Sequence, residues 1–509
     1  MLHDMSKKII RRNLLATSLL ELVAILNGLI VPKIFISVLG SEANGLATSI
    51  NQCLSYISLL EGGLSSVVMA SLYKPLRENN QEKISAIFNA TQRFFKQIGL
   101  IYIVYAAVLA LVYPLVVKST FSYPYILVLV LVLATNLFTQ YFFSLTHQVL
   151  IRASQNHYFL SLTKAGVMLL NMVLVIVFSR IFPDLIIMKA LSATVLFLQP
   201  VAFSLYTRKR FKLDKKIPRD TDALNQRWSG FGHTLAHFIN KNISVIVLTV
   251  FSTLAMVSVF SVYLMVANSI RNFAVSIAST LLPSFGSVLA KDDIKEANRA
   301  FNLYEFGMAF LSVLLFSCGI VLVVPFIKVY TANVTDANYI QPLFGILLMT
   351  AEMLYCFREP YINATYAAGH FKQTAKYAYI EVSINIVLSL ILVHKFDLAG
   401  VALSFLIAIV YRLIAQVIYL RKNILNRPLR RFGKTVVLFF VPCLGVVLLS
   451  NLLLPLEAIN GYFHWALNGF AVFGITLVIL VCVSLIGYRS ELKTIVGKKF
   501  FKKKPQGKA

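Results

Sequence analysis

Stretches of about 20 apolar residues follow one another along almost the whole chain, and this repetition limits the fold more than any other feature. Of the 509 residues, 58% are hydrophobic and 14% are charged, an excess of apolar residues that no soluble core can hide. The sequence therefore predicts an all-α polytopic membrane protein of about 14 transmembrane helices, and it excludes a soluble enzyme. The fourteen stretches begin near Leu14, Gly45, Gln97, Tyr125, Tyr158, Leu185, Gly230, Met256, Phe306, Ile340, Ala375, Leu398, Thr435 and His464.

The positive charge of the chain follows the expected topology. Lys and Arg number 48 against 21 Asp and Glu, which gives a formal net charge of +27. When successive connections are assigned alternately to two sides, 37 basic residues fall on the side of the termini, and Lys118, Arg180, Lys328 and Lys395 fall on the other. This asymmetry follows the positive-inside rule, so we expect a multi-pass cell-membrane protein with both termini in the cytoplasm. The same distribution argues against a nucleic-acid partner.

Two parts of the chain match each other at a constant offset of 213 residues. The offset pairs His157 with His370 and Asp184 with Asp397, each at a corresponding loop or helix end. Repeats with an even number of spans keep one orientation, so we expect two parallel six-helix lobes around a central cavity, as in secondary transporters. The predicted parts are an N-terminal lobe over 1–225, a C-terminal lobe over 226–428, and an extra helix pair with a basic cytoplasmic tail over 429–509.

Cationic side chains within the apolar spans indicate a binding site, because ionisable groups in hydrocarbon are unfavourable without a function or a partner. Lys241, Arg271 and Arg358 lie near the middle of three spans in the second half, too deep to reach the interface easily. His237 precedes Lys241 by one helical turn, so the two share a face. We predict that these four residues bind an anionic substrate. The alternative is that these cations form structural ion pairs with buried glutamates.

Acidic side chains within the spans are candidates for coupling transport to an ion gradient. Glu61 lies in the second span, and Glu352 and Glu359 lie seven residues apart, on one face of the tenth. Burial in hydrocarbon favours the neutral carboxyl, so we predict that these three acids bind a coupling proton or sodium ion. Structural pairing with Arg358 or Lys241 is an equal alternative. The sequence has no phosphate-binding loop for ATP, and the spacing of its five cysteines implies neither disulfides nor zinc. We expect no cofactor and no metal site.

With these residues identified, the sequence resembles the polysaccharide transporter family of prokaryotic oligosaccharide–lipid flippases. The family shares a superfamily with lipid II flippases and with multidrug and toxic compound extrusion (MATE) transporters. The resemblance runs from about Asn13 to Arg421, and Glu61 stands where the family often has an aspartate. It is carried by Val38-Leu39-Gly40, Gly45 and Leu60–Leu64, by Leu282-Pro283-Ser284 through Asp292-Asp293, and by Asn363-Ala364 through Gly369 and Lys372 to Asn385 and Gly400-Val401-Ala402.

The resemblance implies a V-shaped pair of six-helix lobes around a cationic cavity. It also implies transport of undecaprenyl-pyrophosphate-linked repeat units from the inner to the outer leaflet, for capsule or another cell-surface polysaccharide. The implied partners are the lipid-linked oligosaccharide, membrane lipids and other polysaccharide assembly proteins. The mid-span cations fit this substrate, because Arg and Lys bind pyrophosphate.

Two other functions stay open at this point. A cation-coupled multidrug antiporter of the same superfamily needs a net acidic cavity, whereas mid-span bases are here at least as prominent as acids. A membrane glycan polymerase or ligase would be an enzyme, usually with a sizeable outer loop that holds catalytic residues. The outer connections of this chain are short, so we expect a transporter and not an enzyme.

Overall fold

The computed structural model describes residues 2–61, 64–220, 231–289 and 293–492, with side chains for all of these except 2–10, 66, 231–234, 237, 241 and 279–289. The described chain is helical and has no strands. Its helices are α1 Leu2–Ser55, α2 Leu64–Arg77, α3 Gln81–Val116, α4 Tyr123–Thr139, α5 Leu145–Ala153, α6 His157–Ile181, α7 Leu185–Leu196, α8 Leu198–Arg210, α9 Phe231–Phe251, α10 Leu254–Leu289, α11 Ile294–Tyr330, α12 Pro342–Ala367, α13 Phe371–Leu420, α14 Leu429–Leu453 and α15 Tyr462–Gly487.

Ten stretches of described helix are long and apolar enough to cross a membrane. Two of them are double, because the backbone leaves helical geometry at Gly40 in α1 and at Asp397 in α13. At the second break the chain folds back, and Gly400 packs directly on the backbone of Leu392. Together with α9 and α12, the described helices follow the order of the fourteen predicted spans. The structure thus confirms the predicted all-α polytopic membrane fold.

The chain divides into two compact units, of which unit 1 comprises Met1–Val262 and Asn333–Ala337. The first part of α1 packs along α6, where the Asn13 side chain donates to the Gln155 carbonyl and accepts from the Tyr158 amide. At Gly40, φ is +85° and ψ is 169°, a conformation open essentially to glycine alone. Asp336 then accepts hydrogen bonds from the Ser41 amide at 2.6 Å and the Ser41 hydroxyl at 2.7 Å. A carboxylate there stabilises the N-terminus of the second part of α1.

Unit 2 comprises Tyr263–Ala332 and Asn338–Ala509. Within it α12 packs against α11 and α13, and α14 and α15 pack on α11. The outward side chains of the last two helices are apolar and exposed, including Leu452 at 82% and Ile486 at 83%. Such surfaces are stable against lipid rather than water. The boundary between the units lies at residue 262, within α10, whereas the predicted division at 225 and 428 follows the repeat and stays a prediction.

The helix starts repeat at the offset seen in the sequence. Gln81 begins α3 and Ile294 begins α11, 213 residues later, and each helix is capped by the side chain that precedes it, Asn80 or Asp293. Leu185 begins α7, and Leu398, again 213 residues later, resumes helix after the break in α13. The internal repeat is therefore structural, since equivalent positions begin equivalent helices.

Candidate functional site

The first part of the candidate site is an ion pair between α10 and α12 in unit 2. Arg271 Nη1 donates to both carboxylate oxygens of Glu352, at 2.8 and 3.1 Å. Its Nη2 donates to Asn268 Oδ1, one turn earlier on α10. The Glu352 side chain is 1% exposed and that of Arg271 is 12% exposed. The pair is neutral overall, but its guanidinium stays partly accessible.

The second part is an ion pair between α12 and the first segment of α13. Arg358 Nη1 donates to Glu381 Oε1 at 2.6 Å, and both side chains are buried. The Tyr355 ring links the two pairs, because its centroid lies 5.3 Å from the guanidinium carbon of Arg271 and 4.5 Å from that of Arg358. Cations over an aromatic face are stabilised by its electrons. We call Arg271, Glu352, Tyr355, Arg358 and Glu381 the arginine cluster.

The arginine cluster joins residues that were selected separately from the sequence. Glu359 is half-buried and acts electrostatically on both arginines of the cluster. Four predicted site residues, Arg271, Arg358, Glu352 and Glu359, are therefore neighbours within unit 2. Each arginine has a glutamate partner, as the ion-pair alternative expects, so an anionic substrate has to compete with a carboxylate. Whether these residues bind substrate or a coupling ion stays a prediction.

The two remaining predicted cationic-site residues lie on α9. The side chains of Lys241 and His237 are outside the part of the chain that the structure describes. Their position on one face of a helix follows from their spacing of one turn. Their assignment to the substrate also stays a prediction.

Glu61 lies in unit 1, where two irregular helical segments meet. It ends a 3₁₀ helix over Tyr56–Glu61, and its Oε1 accepts a hydrogen bond from the Tyr141 hydroxyl at 2.7 Å. Tyr141 belongs to a single π-helical turn, Gln140–Ser144, between α4 and α5. The sequence singles out Glu61 without indicating this partner, since π-helical turns leave no simple signal in composition. Such turns occur frequently at functional sites.

A further buried carboxylate was missed at the level of sequence. Glu305 of α11 is 1% exposed, pairs with Arg427 and accepts a hydrogen bond from the Tyr361 hydroxyl. The predicted ninth span begins at Phe306, which left Glu305 just outside it. The signal that could have found it is the long apolar helix on both sides of this acid. This contact fixes the segment between α13 and α14 to α11 and α12.

No protein-family model matches this sequence, and no curated protein matches it. Solved structures are similar in fold. Lipid II flippase MurJ in an inward closed conformation aligns with a TM-score of 0.71 at 14% identity, over 94% of this chain and 99% of that chain. An inward-facing multidrug resistance MATE family transporter of the MOP superfamily aligns at 0.60 and 15% identity, over 78% of this chain and 94% of that one. The MATE multidrug transporter DinF-BH aligns at 0.60 and 16% identity, over 82% of this chain and 95% of that one.

At these identities the likeness establishes the fold. The chain has the fold shared by lipid II flippase and the MATE transporters, members of the MOP superfamily, and this confirms the fold that the sequence resemblance implies. The similar structures are flippases and transporters rather than enzymes.

Proposed function

We propose that this chain flips an undecaprenyl-pyrophosphate-linked oligosaccharide repeat unit across the cytoplasmic membrane by alternating access, for export of a cell-surface polysaccharide. The observation that carries the proposal is the extent of the structural likeness. A match over 94% of 509 residues leaves out about 30, fewer than the 81 residues after Pro428, so the flippase match includes part of the final helix pair. The MATE matches cover 78% and 82% of the chain.

The chemistry of the arginine cluster supports a phosphate-bearing substrate. Arg271 presents a planar guanidinium that already binds a carboxylate through two contacts, a geometry that suits phosphate oxygens equally well. Its 12% exposure leaves it more accessible than the 5% of the Arg358 side chain. Arg271 is therefore the proposed first contact of the pyrophosphate, and Arg358, Lys241 and His237 are proposed to add positive charge or hydrogen bonds.

Competition for Arg271 offers a mechanism for ion coupling. A pyrophosphate that binds Arg271 displaces Glu352, and a carboxylate buried without its partner is strongly disfavoured. The displaced Glu352 is neutralised by a proton or a sodium ion, which it releases when the substrate leaves and the pair forms again. Glu359, beside both arginines, and Glu61, beside Tyr141, are proposed as further sites for the coupling ion.

Translocation in reconstituted vesicles tests the proposal. Arg271→Ala is expected to slow the flipping of a pyrophosphate-linked oligosaccharide at least tenfold, because a charge-assisted contact is worth about 1.5–3 kcal/mol. Lys395→Ala removes an exposed base at the break in α13 and is the matched control, with a rate like that of the unmodified protein. Equal rates for the two variants at equal expression would remove Arg271 from the site.

The same vesicles distinguish the two alternatives. A multidrug antiporter exchanges an organic cation for protons or sodium and leaves the lipid-linked oligosaccharide in place. A membrane polymerase or ligase lengthens or transfers the glycan, which changes the mass of the product. Flipping of the intact lipid-linked unit is the outcome that the proposal requires.

A further inference from the structure

A layer of polar side chains lies inside unit 2, at one depth in three neighbouring helical segments. Arg358 precedes the end of α12 by nine residues, Glu381 follows the start of α13 by ten, and Arg412 precedes the end of α13 by eight. Because α13 folds back at Asp397, these three helix ends lie on one side of the unit. At 1.5 Å per residue, the three side chains start about 13 Å from that side.

The layer carries an excess of positive charge. Arg358 and Glu381 neutralise each other. Arg412 is 2% exposed, and in the part of the chain that the structure describes its Nε and Nη1 atoms have no hydrogen-bond partner. The groups that act electrostatically on it are Glu381, Arg358, Tyr366 and Tyr411, so the layer holds two guanidinium groups and one carboxylate. A buried cation without a counter-charge is strongly disfavoured.

The unpartnered atoms around Arg412 are mostly donors. Gln416 lies one turn further along α13, is 0% exposed, and has neither its Nε2 nor its Oε1 hydrogen-bonded within the described chain. Arg358 Nε is also without a partner there. Residues four apart on a helix share a face, so Arg412 and Gln416 present their donors together. Guanidinium nitrogens only donate, so N–H groups from three side chains face a single amide acceptor.

We propose that Arg412 and Gln416, with Nε of Arg358, bind a small monovalent inorganic anion such as chloride inside unit 2. One negative charge balances the layer, and an anion accepts several N–H hydrogen bonds at once. A water molecule satisfies some donors but leaves the charge uncompensated. The near-complete burial of both α13 side chains leaves no path for a lipid headgroup, which favours an ion of atomic size. The site is independent of the proposed transport function.

Thermal unfolding of the purified full-length protein in detergent tests the site. The Tm is measured while sodium chloride replaces sodium gluconate at constant ionic strength, which separates specific binding from the screening of a chain with a net charge of +27. In the unmodified protein, chloride is expected to raise the Tm in a saturable way. Arg412→Met is expected to abolish the chloride dependence. Arg421→Met, at an exposed arginine that follows α13, is the matched control and is expected to keep it.

A second variant covers the case in which Arg412→Met does not fold. Gln416→Leu keeps the charges, and it is expected to weaken the apparent affinity for chloride about tenfold through the loss of one hydrogen bond to a charged group. Equal Tm values of the unmodified protein in chloride and gluconate would overturn the proposal. An unchanged chloride dependence in Arg412→Met or in Gln416→Leu would do the same.

Discussion

Gly45 is the position where the structure tolerates a side chain least. A Cβ atom there would lie 1.7 Å from the Leu254 carbonyl oxygen and 2.6 Å from the carbonyl carbon, against at least 3.4 Å for an ordinary contact. Because the obstacle is backbone, a helix has to move. Hydrogen bonds from Asn44 to Ser258 at 2.8 Å and between Ser49 and Thr249 hold the same interface and would be strained. Overpacking and weakened hydrogen bonds together give an expected cost of about 3 kcal/mol for Gly45→Ala.

The assay is the thermal unfolding of purified Gly45→Ala beside Gly28→Ala. Gly28 lies in the same helix, α1, and a Cβ there meets nothing within 4 Å. Alanine at this control position is expected to be neutral or slightly stabilising, because glycine is the weaker helix former. A Tm of Gly45→Ala equal to that of Gly28→Ala would refute the close contact between α1 and α10.

Three other predictions concern single side chains. Glu352→Gln removes the charge that neutralises Arg271, so unfolding is expected to become easier by about 3 kcal/mol in the same melting assay; a change below that of a surface ion pair would contradict the buried pair. Tyr141→Phe removes the hydrogen bond to Glu61 and is expected to shift the sodium or proton dependence of vesicle transport, and an unchanged dependence would exclude Glu61 from coupling. Gly40→Ala forces alanine to a glycine-only conformation at about 1–3 kcal/mol, measured as a lower Tm, and an unchanged Tm would argue against the kink.

The helices could be predicted from the sequence because their signals are local. Apolar length predicted the spans, and the 213-residue offset predicted equivalent helix starts such as Gln81 and Ile294. The extreme case is Glu305, which the predicted span missed by one residue, since the edges of spans are the least certain part of any hydropathy reading. Long helices therefore follow from sequence more securely than their ends do.

The partners within the candidate site could not be predicted, because they depend on which helices pack together. Glu352 is closer in sequence to Arg358 than to Arg271, yet it pairs with Arg271, 81 residues away, and Arg358 pairs with Glu381. From the sequence alone, substrate binding and ion pairing stayed alternatives at these arginines. The structure supplies the pairs, and the proposed competition between carboxylate and phosphate arises from them.

Recognition of the phosphate is the central claim about this protein. The most direct measurement compares, in vesicles containing the unmodified protein, the flipping rates of one oligosaccharide carried on a polyprenyl pyrophosphate and on an uncharged polyprenyl lipid. We expect the pyrophosphate-linked form to cross and the uncharged form to stay in its original leaflet. Equal flipping of the two forms would contradict phosphate recognition.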